Sequence, residues 1–170
     1  MEIIIEEERW RALDLDQLSH GAFKALMSEL NVSDTVYNVT VLGCDDARIQ
    51  TLNVDFRGKA QPTNVLSWPS VDRAADAPGM IPNLPDHEKD TELGDIELED
   101  IELGDIAISF QTTTREACAQ GKKARAHATH LLLHGMLHLL GYDHIDDADA
   151  AVMEAIEIKI LGKMGISNPY

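Results

Sequence analysis

KKARAHATHLLLHGMLHLLGYDH, residues 122–144, decides how the rest of the chain has to be arranged. Up to Leu140 it reads as one largely apolar helix, broken at Gly141. Such a helix belongs in a core, yet this one carries His127, His130, His134 and His138, with His144 just past the glycine. Residues four apart on a helix share a face, with Cβ atoms about 5–6 Å apart. His134 and His138 can therefore bind one metal ion, at roughly 2.0–2.1 Å from each nitrogen. The next position on that face is Tyr142, so a third ligand requires the chain to leave the helix and fold back. Gly141 permits this, because glycine takes the left-handed turn conformation without steric cost. His144 then arrives from the far side of the turn. Three neutral imidazoles leave a fourth tetrahedral position open to water, the arrangement of a catalytic zinc site holding one ion per chain. The plainer alternative is a polar lining on a core helix; the spacing around a helix-ending glycine favours metal. His130 suits a partner that orients a ligand, and His127 reads as surface.

The pattern H-x3-H-x2-G-x2-H also limits the chemistry. Metzincin proteases carry the same ligands and glycine with a glutamate after the first histidine as general base. Gly135 occupies that place. A peptidase built this way would lack the group that activates its water, which disfavours proteolysis.

Working outward, DDADAAVMEAIEIKILGKMG reads as a closing helix capped by Asp146 or Asp147, with an apolar stripe at Val152, Ala155, Ile156 and Ile160. Upstream, TTREACAQG is helical. ELGDI occurs twice, at 92–96 and 102–106, and only one copy can fill the core position. The second runs on into IAIS, which predicts a buried strand over 103–109. Four of the six prolines lie between 69 and 90, marking a loop. MEIIIEE, YNVTVLGC and NVLSWP read as strands. Residues from Leu15 to Leu30 have helical period with Asp14 as cap, and a helix starting at Asp45–Asp46 runs to Gly58. The pattern predicts an α+β fold: a small mixed β-sheet of about four strands packed with about five helices, the metal site at the end of a central helix. At 170 residues one domain, 1–170, is expected, with 70–102 as an acidic, partly duplicated loop insertion.

No stretch reaches the roughly 20 apolar residues of a membrane span. The start lacks the basic leader and apolar run of roughly 7–15 residues of a signal peptide. Cys44 and Cys118 have neither CxxC spacing nor a second pair, so both read as reduced thiols in or near the core. A cytoplasmic protein is expected. The net charge of −16 argues against a polyanion partner. Ten acids and one base between Asp86 and Asp105 account for −9 of it, however. The bases gather at Arg57 and Lys59, and at Lys122, Lys123 and Arg125.

With HGMLHLLGYDH and the preceding His130 in view, the chain resembles the YbeY family, bacterial endoribonucleases and ribosomal RNA maturation factors. NVDFRGKAQPTNVLSWP, 53–69, is similar to the family segment N-x-x-F-R-x-x-x-x-P-T-D-V-L-S-F-P, and LGDIAIS, 103–109, to its L-G-D-I-x-I-S strand. MEAIEIKIL, 153–161, resembles its closing helix. Asn64 stands where the family usually has aspartate and Trp68 where it usually has phenylalanine. The resemblance implies a zinc held by His134, His138 and His144, and a functional arginine at Arg57. It implies a single-strand-specific endoribonuclease acting in 16S rRNA 3′-end maturation and ribosome quality control. The implied partners are ribosomal RNA, the small ribosomal subunit, and a ribosomal protein or GTPase. On residue chemistry alone, Arg57 reads as the partner of a surface carboxylate; the resemblance turns it into a phosphate clamp. Lys59 and the bases at 122–125 fit flanking phosphates or solvated surface equally. Asp143 is the nearest candidate proton donor in sequence, though a turn-holding role suits it better. Two further readings belong to other classes: a ribosome-assembly factor whose metal is structural, and a metal hydrolase acting on peptides or small molecules. Residue chemistry by itself stops at metal hydrolase.

Overall fold

The computed structural model describes residues 1–32, 34, 37–84 and 101–170. Its frame is a four-stranded mixed sheet in the order β1-β2-β4-β3, from β1 (Glu2–Ile5), β2 (Tyr37–Cys44), β3 (Val65–Pro69) and β4 (Ile101–Ser109). β1, β2 and β4 run parallel, and β3 closes one edge antiparallel to β4. Among the described residues there are six helices: α1 (Arg9–Ala12), α2 (Leu15–Leu30), α3 (Asp46–Arg57), α4 (Phe110–Ala119), α5 (Ala124–Leu139) and α6 (Asp147–Lys163). The expected α+β architecture is borne out; the helix beyond the expected five is the single turn α1.

The two faces of the sheet explain the strand sequences. Tyr37, Val39 and Val41 of β2 and Leu103, Ile106 and Ile108 of β4 enter the main core with α2, α5 and α6. Ala107 and Leu66 point to the opposite face, where Ile49 of α3 and Cys44 meet them. Central parallel strands buried on both faces read as continuous apolar runs, and IAIS is one. The second ELGDI copy fills this place. It enters through a bulge, because Asn38 pairs with Glu102 and Val39 with Gly104, leaving Leu103 as the extra residue. Gly104 has φ +131°, and a Cβ there would run into the Trp68 carbonyl oxygen. The copy at 92–96 lies outside the described residues, as does most of the acidic 86–105 segment.

α5 is buried nearly all round, as a helix that crosses a core must be. Between residues 127 and 140 only His130, His134 and His138 are partly exposed, every fourth residue, forming one open seam. Gly135 faces the sheet instead: a Cβ would stand 3.2 Å from Ile106 Cδ1, so glycine lets α5 lie close on β4. A glutamate at 135 would be driven into that apolar contact, away from the histidines.

Helix ends follow local chemistry in part. Asp45 and Asp146 cap α3 and α6, accepting from Arg48 N at 2.8 Å and Ala148 N at 2.9 Å. Asp14 departs from expectation. It holds the position before α2 with φ 57°, but its side chain caps nothing. The buried face of α6 is also rotated from the predicted stripe, running through Met153, Glu157, Ile160 and Leu161 while Ala155 is exposed. Cys44 is buried, its thiol pushed up to about 12 chiefly by burial, whereas Cys118 is exposed rather than near the core.

Candidate metal centre

α5 ends where the chain must turn back. Tyr142 N donates to Leu137 O at 3.0 Å and Gly141 N to His138 O at 3.0 Å, with Gly141 at φ +91°. The next residues carry His144 over the end of the helix. Its ring centroid lies 5.1 Å from that of His134 and 5.0 Å from that of His138. Asp143 holds this turn, its Oδ1 accepting from the His144 backbone N–H at 2.7 Å. One ligand atom from each of His134, His138 and His144 lies within 4.8 Å of the others, so the three could hold a metal ion.

Hydrogen bonds fix which ring nitrogens face inward. His138 Nδ1 lies 2.9 Å from the Tyr142 carbonyl oxygen, which only accepts, so Nδ1 carries the proton. His134 Nδ1 lies 3.1 Å from Glu157 Oε1 and donates to it. Burial first, then neighbouring His134 and His144, hold the His138 imidazole down to about 4. It is neutral at pH 7, and its Nε2 presents a bare lone pair to His134 Nε2 at 3.1 Å. Two ligands about 2.0–2.1 Å from a tetrahedral ion stand ~3.3 Å apart, close to this separation. The donor set fits a divalent ion of zinc type.

Glu157 supports the same conclusion. It is fully buried on α6. Burial pushes its carboxyl up, but His130, His134 and the Tyr170 hydroxyl outweigh this and hold it down to about 2. His130 Nε2 stands 3.5 Å from Oε1, an ion-pair distance rather than a good hydrogen bond. Tyr170 OH donates to Oε2. Among the described residues no lysine or arginine pairs with this buried anion. A cation on the far nitrogen of His134 would balance it, the carboxylate–histidine–metal arrangement that raises ligand basicity. Glu157→Gln keeps the shape and removes the charge. It should weaken zinc binding about 10–100-fold in a chelator competition; unchanged affinity would show that the charge does not reach the ion.

Acidification gives a second check on the metal-free protein. The His138 pKa falls from 6.5 to about 4 on folding. Protons therefore bind the unfolded chain first as pH drops. The contribution is whole above pH 6.5 and is lost between about 6.5 and 4, roughly 2–3 kcal/mol for a partly exposed ring. Urea unfolding of chelated protein at pH 7 and pH 4.5 should show most of that loss, and bound zinc should oppose it by mass action.

The histidines open onto a cleft of about 940 Å³ whose walls include Arg57, Lys59, Asn64, Glu116 and Lys122. Arg57, the last residue of α3, is exposed and among the described residues has no carboxylate partner, unlike the surface ion pair expected from chemistry alone. Lys122 reaches the cleft and donates to Pro169 O at 2.8 Å. Arg125 does not: its Nη2 donates to Gln17 Oε1 at 2.7 Å, tying α5 to α2. Lys123 is exposed and stands outside the cleft lining. His127, expected at the surface, is 4% exposed, with Nε2 3.0 Å from Glu116 Oε2. The sequence reading missed Glu157, Glu116 and Tyr170. Glu157 left a signal, an acid within the apolar spacing Met153, Glu157, Ile160, Leu161.

An α+β scaffold with a three-histidine cluster at a helix end, open to a cleft, defines the class as α+β proteins with a candidate metal site. Comparison with known proteins makes this specific. The sequence profile of the family Endoribonuclease YbeY matches residues 3–165. Endoribonuclease YbeY of Paracoccus denitrificans is 51% identical over 170 residues, covering 100% of this chain and 89% of the relative. That of Dinoroseobacter shibae is 50% identical over 172 residues, covering 100% and 90%. The solution structure of TM1509 from Thermotoga maritima shares the fold, with a TM-score of 0.55 at 19% identity, covering 97% of this chain and 92% of that one. The chain belongs to the YbeY endoribonuclease family, a family of nuclease-type hydrolases. The family resemblance read from residues 53–69, 103–109, His130 with 134–144, and 153–161 is borne out.

Proposed function

We propose that this protein is a zinc-dependent, single-strand-specific endoribonuclease acting in 16S rRNA 3′-end maturation and ribosome quality control. Residues 1–170 are taken as one catalytic unit working in the cytoplasm. The observation that carries the reading is the convergence of His134, His138 and His144 on one wall of a cleft that also holds Arg57. Among the described residues no helix is long and apolar enough to cross a membrane.

Bound by the three imidazoles, zinc supplies a Lewis acid and a water acidified to a pKa of about 7. The chain's own residues do the rest. Glu157 and the Tyr142 carbonyl lock the His134 and His138 rings so that both Nε2 atoms face the same point. Arg57 offers paired N–H donors to the phosphate to be cut, and Lys59 and Lys122 take flanking phosphates. Single-stranded RNA suits the cleft because its phosphates can be bent onto these cations while its bases splay outward. The small ribosomal subunit, with a ribosomal protein or GTPase, delivers the RNA end.

The test uses a 3′-extended small-subunit rRNA precursor, wild type and Arg57→Ala side by side, with zinc content measured on both. Wild type should cut and hold one zinc; Arg57→Ala should keep the zinc and lose cleavage by about 10²–10³-fold, the size of losing one transition-state donor. A wild type that holds zinc and cuts neither naked RNA nor ribosomes would favour the assembly-factor reading. Zinc lost with Arg57→Ala would make that arginine a folding residue.

A further inference from the structure

Among the described residues, Glu116 is the carboxylate of the cleft wall that two side chains, from two separate segments, hold by one oxygen. Asn64 Nδ2, from the residue just before β3, donates to its Oε2 at 3.0 Å. Nε2 of the buried His127, in the first turn of α5, lies at 3.0 Å from the same oxygen. Neither partner can turn round. Asn64 Oδ1 is already taken by Val65 N at 2.7 Å, so its amide nitrogen must point at Glu116. Burial lowers the His127 pKa, leaving a neutral ring whose N–H faces the carboxylate. The other oxygen, Oε1, meets no donor among the described residues. The Glu116 side chain is 33% exposed, and it lines the same cleft as His134.

Glu116 is held at the His127 end of α5, set along the helix from the three histidines. His127 and His134 are seven residues apart on α5, about 10 Å at 1.5 Å per residue. That is roughly the span of one or two nucleotides along an extended strand. A fixed carboxylate repels phosphate, so whatever it meets there must donate a hydrogen bond. On RNA the neutral donors are the amino and imino groups of bases and the ribose 2′-hydroxyl.

We propose that Glu116 is a specificity residue whose Oε1 accepts a hydrogen bond from a base N–H or ribose O–H donor one or two nucleotides from the cut. The inference rests on the endoribonuclease reading above. Asn64 and His127 act as positioning residues that keep Oε1 turned to the strand.

Glu116→Gln tests it with little change in shape. Both partners, the part-buried Asn64 and the buried His127, are donors, so the amide oxygen takes the Oε2 place and the NH2 group the Oε1 place. An acceptor facing the strand becomes a donor. Single-stranded oligoribonucleotides with one mapped cut are compared, each lacking one donor within two nucleotides of the cut. Inosine replaces guanosine, purine riboside adenosine and 2-pyrimidinone riboside cytidine to remove amino groups. N1-methylguanosine and N3-methyluridine block imino N–H groups, and 2′-deoxy sugars remove hydroxyls. In wild type one of these changes, at one position, should lower kcat/KM about 10-fold. The same change should alter Glu116→Gln less than about 2-fold, while Tm and zinc content match wild type. A base substitution giving this result assigns the donor to the base; a 2′-deoxy substitution assigns it to the ribose. A wild type indifferent to every substitution overturns the inference, even if the variant fails to fold. So does a variant that stays as sensitive as wild type. A wild type that cuts neither the oligonucleotides nor the small-subunit rRNA precursor, free or in ribosomes, removes the RNA reading, and this inference with it.

Discussion

His138→Ala is expected to bind no zinc at micromolar metal and to cut RNA roughly 10³-fold more slowly than wild type, about 4 kcal/mol of lost transition-state stabilisation. The size follows from the position of the ring. Its Nε2 stands 3.1 Å from that of His134, and its orientation is set by the Tyr142 carbonyl on the other side. Removing it leaves His134 and the exposed His144, two ligands where a tetrahedral catalytic site needs three. The fold itself should survive. The ring lies in the open seam of α5, so truncation leaves space that water can fill rather than a closed cavity. The metal-free variant should then lack most of the acid-induced loss between pH 6.5 and 4, because the depressed imidazole responsible is gone. Zinc titration, cleavage assay and urea unfolding on the same preparation separate these effects. Cleavage at wild-type rate with no bound zinc would show that the histidines do not carry the chemistry.

The fold was legible wherever one local rule acted alone. The run through IAIS read as a buried strand over 103–109, and β4 (Ile101–Ser109) occupies that place. The helix-ending glycine and the four-residue histidine spacing were enough to bring His134, His138 and His144 together as candidate ligands. Reading failed where tertiary contacts overrode local pattern. His127 is a polar residue near a helix start, which ordinarily faces water; its burial depends on Glu116, eleven residues earlier on another helix. The face of α6 was rotated because its stripe was drawn through apolar residues only. Glu157 lies on the buried face since His134 supplies its partner from α5, a pairing absent from either segment alone. Asp14 has the residue type of a cap, but its left-handed backbone turns the side chain away from the free N–H groups of α2.

Gly141→Ala should damage fold and site together, and for a reason that no helix rule contains. Two penalties meet at this position. The backbone sits at φ +91°, outside the range that alanine tolerates, at a cost of about 1–3 kcal/mol. A Cβ would also strike the Arg73 carbonyl oxygen, with Arg73 Cβ 2.9 Å away. The contact is with backbone, so no side-chain rotation relieves it. The loop around Arg73 is itself tied down: Arg73 Nη1 donates to Leu139 O at 3.4 Å, and Gly79 N donates to Asp149 Oδ1 at 2.6 Å. Either this loop lifts from the end of α5 or the turn carrying His144 shifts. Together the penalties should exceed about 3 kcal/mol, enough to lower Tm by roughly 6–12 °C in a domain of this size. Zinc affinity should fall too, since His144, the third candidate ligand, is on the moving side of the turn. Calorimetry and a chelator competition on one sample distinguish the outcomes. A lower Tm with full zinc affinity would mean that the loop yields and the turn holds. Unchanged values for both would mean that the α5–α6 turn does not require glycine.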